Sequence, residues 1–260
     1  MPRWMFLTMR CAAAVSALAL LGGFMTGCST PATEGASTAP GESVALPAKL
    51  KEHWHAFALP GKARTLTGRK PETLDGRAAL HARADRSASM WRQHVRLEPQ
   101  HLSRVHFSWK VPRLIEAADL SDRDADDTPV RIVLAFDGDR QRLSMRNRMM
   151  FDLAESLTGE APPYATLMYV WDPKAEVGSV IRAPRSDRVR GVVVESGPQR
   201  LGRWLHYERD VLADFRRAYG EEPGALVGVA VMTDSDNTSS ETEAFYGGIE
   251  LEGVTRLRLL

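Results

Sequence analysis

Four stretches restrict what this chain can become: VRIVLAF (130–136), TLMYVW (166–171), RGVVVES (190–196) and ALVGVAVM (225–232). Each is a short, nearly continuous apolar run rich in β-branched residues. Such runs read as central strands covered on both faces. RVHFSWKV (104–111) is different. Val105, Phe107, Trp109 and Val111 share one face, and His106, Ser108 and Lys110 share the other, so a half-buried strand is predicted. RAALHARA (77–84) alternates more weakly, through Ala78, Leu80, Ala82 and Ala84. HWHAFAL (53–59), SVIRA (179–183) and AFYGGIEL (244–251) bring the expected strands to nine or ten.

Two helices interrupt them. The segment 139–160 places Leu143, Met150, Leu153 and Leu157 on one stripe, with Arg and Gln opposite. The segment 207–220 has Asp210 near its start, Val211, Leu212, Phe215 and Tyr219 as its stripe, and Gly220 where a terminating glycine belongs. Strands and helices do not alternate regularly. The expected fold is mainly β, a β-sandwich of jelly-roll type with two short helices.

The N-terminus reads as an address. Arg3 and Arg10 form a charged region, and Cys11–Met25 is apolar but shorter than the ~20 residues a bilayer span needs. Met25-Thr26-Gly27-Cys28 resembles a bacterial lipobox, which implies a lipoprotein signal peptide (1–27) and acylation of Cys28. Ser29 after that cysteine implies the outer membrane, with the protein facing the periplasm. Cys11 leaves with the leader, so the mature chain has no Cys nucleophile, disulfide or Cys-ligated zinc. Residues 28–47 are rich in Ser, Thr, Ala, Gly and Pro and read as a flexible tether. Residues 48–260 form a single domain by length. Without Arg3 and Arg10 the acidic and basic residues nearly balance, which argues against a nucleic-acid partner.

The chain has no GxSxG elbow, no GxxxxGK[ST] loop, no HExxH and no GxGxxG after a strand. What remains is a short set of candidates. Asp234, Asp236 and Asn237 offer hard oxygens suited to calcium, or they cap their own backbone in a turn. The EF-hand pattern fails at Ser239 and Phe245. Asp122, Asp124, Asp126 and Asp127 crowd a second loop, with Arg123 and Arg131 near enough in sequence to neutralise part of the charge. His53 and His55 have metal-ligand spacing around Trp54, or they are two exposed histidines beside a core tryptophan. Trp171, Trp204 and Tyr246 are candidate sugar-stacking aromatics, or core. Glu195 ends an apolar strand and is the best single candidate for a catalytic acid.

RDADDTPVRIVLAFDGD (123–139), ATLMYVWDP (165–173) and RWLHYERDVLADFRRAYGEEP (203–223), with the 230–251 stretch, resemble a bacterial envelope family known as domain of unknown function 3047. The resemblance spans about residues 50–252 and implies a secreted or lipid-anchored protein with no assigned activity. The closing Ile249-Glu250-Leu251 strand is similar to the last strand of carbohydrate-binding jelly rolls. Three functions follow as expectations: a non-catalytic glycan-binding module anchored to the membrane, a glycan-acting hydrolase or lyase, or an envelope structural or protein-interaction module. The non-catalytic reading is preferred.

Overall fold

The computed structural model describes residues 54–59 and 66–253, and the backbone of two short strands outside them. The expected leader, Cys28, His53 and the tether up to residue 42 lie outside the described residues. Ala39–Leu260 form one compact unit.

In chain order the strands are β1 (Ser43–Val44), β2 (His55–Ala58), β3 (Gly68–Leu74), β4 (Arg77–Asp85), β5 (Ala88–Leu97), β6 (Arg104–Lys110) and β7 (Thr128–Phe136). Helix α1 (Met145–Thr158) follows, then β8 (Ala165–Asp172), β9 (Val180–Arg182), β10 (Val189–Ser196) and β11 (Trp204–Asp210). Helix α2 (Val211–Tyr219), β12 (Leu226–Asp234), β13 (Glu241–Glu252) and β14 (Arg256–Arg258) complete the chain.

These strands form two sheets. In the first, β13 pairs β6 along one edge, with β11 beyond it. Its other edge pairs β4 in its first half, with β3 beyond β4, and β14 in its last residues, with β1 beyond β14. The second sheet has the order β2-β5-β12-β7-β8-β10-β9, with only β8 and β10 parallel. The architecture is a β-sandwich of jelly-roll type with two short helices.

The alternating strand and the continuous apolar runs fall in different sheets. Alternating β6 lies in the first sheet and sends Val105, Phe107 and Trp109 into the core. The four continuous runs became β7, β8, β10 and β12 of the second sheet. Their inward residues, such as Ile132, Leu134, Tyr169, Val192 and Val231, join the main core. Their outward residues, Val133, Met168, Val170, Val193, Ala230 and Met232, form a second apolar cluster on the far side of that sheet.

Several expectations need correction. Residues 207–210 are strand, and the helix begins only after Asp210, whose carboxylate accepts from the Ala213 amide as an N-cap. Gly220 ends α2 at φ 70°, a conformation costly for residues with a Cβ. The first helix starts at Met145, and Ser144 caps it. Of its expected apolar stripe, Leu143 precedes the helix and is buried in the main core, and the rest faces outward. Met150, Leu153 and Leu157 are exposed, and α1 is seated by Asn147 and Phe151 instead. β12 and β13 lie in different sheets, so the 235–240 segment is a crossover and not a hairpin turn. A second crossover, from β4 to β5, runs beside it. The Arg86 amide donates to Ser240 and the Ser235 amide to Ser87.

Candidate functional site

The outward face of the second sheet forms the floor of an open groove of about 1110 Å³. Met90 from β5, Ala230 and Met232 from β12, Val133 from β7 and Met168 from β8 line it. The end of α1 and Pro162-Pro163 wall one side. The groove exists because this sheet is apolar outward, and only part of that surface is covered.

Polar groups bracket the floor. On one side Arg92 grips Glu160 with both terminal nitrogens, the Nη1–Oε1 distance being 2.9 Å. Its guanidinium carbon sits 3.8 Å over the Phe57 ring, and its Nε donates to His55 at 3.0 Å. Hydrogen bonding from Arg92 holds the Glu160 carboxyl below its usual range, against a desolvation effect of opposite sign.

At the other end stands the acidic cluster. Carboxylate oxygens of Asp127, Asp234 and Asp236 lie within 4.8 Å of one another. Arg131, buried in β7, enters this cluster. Its Nη2 donates to Asp234 Oδ2 at 2.9 Å and to Asp126 Oδ1 at 3.0 Å. Asp234 Oδ1 also accepts from the Thr128 amide. Burial opposes the charge on Arg131, but Asp234 and Asp126 outweigh it and raise its pKa. Burial pushes the Asp234 carboxyl up to about 7; Arg131 opposes the rise, and Asp127 and Asp126 reinforce it. Arg185 Nη1 also lies 3.9 Å from Asp126 Oδ2. Carboxylates packed this closely favour uptake of a proton or a cation.

Asp127 is fully buried and organises the crossover. Its carboxylate accepts from the amides of Asn237 and Thr238 and from the Thr238 hydroxyl, the last at 2.6 Å. The Asn237 side chain donates to the Arg123 carbonyl at 2.7 Å. The two acidic loops, far apart in sequence, therefore form one structure at the groove mouth. Asp234, Asp236 and Asn237 all line the groove, together with Arg123, Asp124, Asp126 and Arg185.

The aromatic candidates do not converge there. Trp171 and Tyr246 have no exposed surface. Trp171 donates its indole N–H to the Gly197 carbonyl at 3.0 Å. The Tyr246 hydroxyl donates to the Met232 carbonyl at 2.5 Å and contacts Thr233. Both are core residues, because each finds a buried partner for its polar atom. Trp204 is half-buried on the first sheet, where its N–H donates to Asp75. Among the described residues no Trp or Tyr lines the groove.

Glu195 is buried and does not line the groove. Its Oε2 accepts from Tyr207 and from Arg200, each at 2.7 Å. Those bonds make it a structural carboxylate under the second sheet. His55 is exposed, stacks on His94 and accepts from Arg92. The sequence reading missed the Arg92–Glu160 pair and the central place of Arg131. A signal for the latter was present: an arginine inside an apolar strand must find carboxylates when it is buried.

A family profile described as "Protein of unknown function (DUF3047)" matches residues 52–250. The chain belongs to this family. No curated protein matches it. Among solved structures, it is similar to the family 11 carbohydrate-binding module of cellulosomal cellulase Lic26A-Cel5E of Clostridium thermocellum, at 9% identity and a TM-score of 0.38, over 78% of this chain and 89% of that one. A family 11 module from Clostridium thermocellum in complex with a β-1,3-1,4-mixed-linked tetrasaccharide gives 9% identity and a TM-score of 0.37, over 78% and 90%. Among the described residues no helix is long and apolar enough to cross a membrane.

Proposed function

We propose that this DUF3047 domain is a non-catalytic glycan-binding module, held at the cell envelope by an acyl group on Cys28. The observation that carries the binding half is the open groove, with its apolar floor between two polar ends. Sugar rings present apolar C–H faces and hydroxyl edges, and such a trough meets both. Guanidinium and carboxylate groups at Arg92, Arg123, Asp124 and Arg185 supply planar, directional hydrogen bonds for hydroxyl pairs. Selection among glycans then depends on hydrogen bonding more than on ring stacking, since among the described residues the groove is lined mainly by charged and aliphatic side chains and by neither Trp nor Tyr.

A glycan array probed with residues 29–260, followed by calorimetry on each hit, tests this reading. Arg123→Ala and Asp124→Ala should each weaken binding about 5- to 20-fold, the loss of roughly 1–2 kcal/mol of charge-assisted hydrogen bonding. Failure of every envelope and plant glycan to bind, or binding indifferent to both substitutions, removes the groove as the site. The anchor has its own test. Labelled fatty acid should enter the wild-type chain and not Cys28→Ser.

The acidic cluster gives the proposal a cation component. Each carboxylate oxygen has two lone-pair directions. Asp127 and Asp236 can therefore share a calcium ion at the groove mouth while Arg131 keeps its bonds to Asp234, with Asn237 beside them. Such an ion would rigidify the 235–240 crossover that borders the groove.

A further inference from the structure

Helix α1 breaks two rules that a merely structural helix obeys. Seven large apolar side chains are exposed among the described residues, and five of them are on this one helix: Met145, Met149, Met150, Leu153 and Leu157. Exposure reaches 74% at Met145 and 67% at Met149 and Leu157. Scattered exposed apolar residues need no explanation, but a contiguous stripe marks an interaction surface. The second broken rule is electrostatic. The first turn holds no acid and the last turn no base. Arg146 and Arg148 stand near the N-terminus and Asp152 and Glu155 nearer the C-terminus, against the helix dipole. Within the chain these charges make local contacts, Arg148 Nε donating to the Leu143 carbonyl at 3.1 Å and Arg140 pairing with Glu155, but their order along the helix still opposes its dipole.

Both features become favourable together in one arrangement. Met145, Met149, Leu153 and Leu157 are spaced by four, so they form one continuous ridge along the helix. Two copies of α1 packed antiparallel about a twofold axis lay Met145 against the partner's Leu157 and Met149 against the partner's Leu153. A twofold axis also keeps the same flank on the same side. Arg148, Asp152 and Glu155 lie on one flank of the helix at 100° per residue. The basic half of each helix then faces the acidic half of the other, with Arg148 opposite Asp152 and Glu155 in both directions. The Arg140–Glu155 pair within one chain, at 3.3 Å, stays compatible with this because a carboxylate accepts from two guanidinium groups.

We propose that α1 is a self-complementary dimerisation surface whose partner is a second copy of this chain. The contact is isologous, so it closes at two copies and does not propagate. A 14-residue helix is about 21 Å long, so the interface is at the small end of specific interfaces. A dimer in exchange with monomer is expected, with a Kd on the order of micromolar. The groove lies beside the C-terminal end of α1, where Ala154 and Thr158 form part of its wall. Dimerisation would set two grooves at a fixed spacing.

Sedimentation velocity of residues 29–260, from about 1 to 200 µM, should show a monomer–dimer equilibrium in that window. Leu153→Glu should raise Kd at least tenfold, and its melting temperature should match wild type because Leu153 is exposed. Arg148→Glu alone should also weaken the dimer. Adding Asp152→Arg and Glu155→Arg to it should restore the dimer, because the reversed charges are again complementary. A wild-type chain that is monomeric throughout overturns the proposal, and co-sedimentation of that monomer with phosphatidylglycerol vesicles would reassign the stripe to a lipid surface. A dimer unmoved by Leu153→Glu overturns it too, since another face would be in use.

Discussion

On the outer face of the first sheet, His81 lies between Glu72 and Glu243 at 3.0 and 2.8 Å, His106 contacts Glu252, and Arg83 pairs Glu241. On the outer face of the second, Met90, Val133, Met168 and Met232 adjoin one another, and the nearest charges are at the margins. The first surface is at home in water, and its pairs are replaceable. The second is a core face without a full lid. Functional surface in a β-sandwich is more readily sought where outward residues fail to match solvent, and here that is the second sheet and the α1 stripe beside it.

The widest gap between the two faces is expected for their ion pairs. Arg131 is buried, so Arg131→Ala leaves Asp234 and Asp126 without their counter-charge and should cost about 3–5 kcal/mol. Arg83→Ala removes an exposed pair and should cost under ~0.5 kcal/mol. Urea melts of the two variants check this. Equal losses would mean that the buried cluster is as dispensable as the surface pair. The Arg131→Ala loss should shrink below neutral pH, because Asp234 then takes up a proton and needs no partner.

The floor offers the next contrast. Met168 is buried in the outward cluster, and Met168→Ala should cost about 2 kcal/mol, the low end for deleting such a side chain because the groove is partly open. A substitution on the first sheet's outer face, such as Glu243→Ala, should change stability by well under half of that. If Met168→Ala costs no more than Glu243→Ala, the floor is not a packed second layer. Glycan affinity measured on the same variant separates packing from recognition.

The sandwich was legible because periodicity reports faces. RVHFSWKV alternated and became a half-buried strand, and VRIVLAF did not alternate and became a strand packed on both sides. What could not be read was which side of an amphipathic helix meets the core. The stripe Leu143-Met150-Leu153-Leu157 had the right spacing, yet only Leu143 reached the core, because spacing carries no information about what waits opposite it. The aromatic candidates failed for a similar reason. Trp171 stood at a strand end, yet its partner, the Gly197 carbonyl, comes from a loop 26 residues away. The acidic residues of the site were visible as two loops. Their union through Asp127, Thr238 and Asn237 needed the crossover geometry.

The smallest expected effect is the calcium response, and it decides how the acidic cluster is balanced. Asp234 has its pKa raised in the fold from 3.8 to about 7, so the folded state holds a proton more tightly than the unfolded chain. Its contribution to stability is full below pH ~4 and is lost as pH rises through about 7. Asp234→Asn should flatten that part of the pH profile. Calcium acts in the opposite sense, because it competes with the proton for the same excess charge. After chelation, millimolar calcium should raise the melting temperature by about 2–4 °C at pH 8, equivalent to ~1 kcal/mol for a domain of this size. The gain is modest because Arg131 already supplies one counter-charge. At pH 5.5, with Asp234 protonated, the rise should fall below half of that. Asp236→Ala should remove the response at both pH values, and magnesium should produce less of it because it keeps its waters. A calcium response equal at the two pH values would place the ion away from Asp234. No response at pH 8 would mean that the protein's own donors and guanidinium groups suffice for the cluster, and the contrast between the two sheets would then rest on the groove alone.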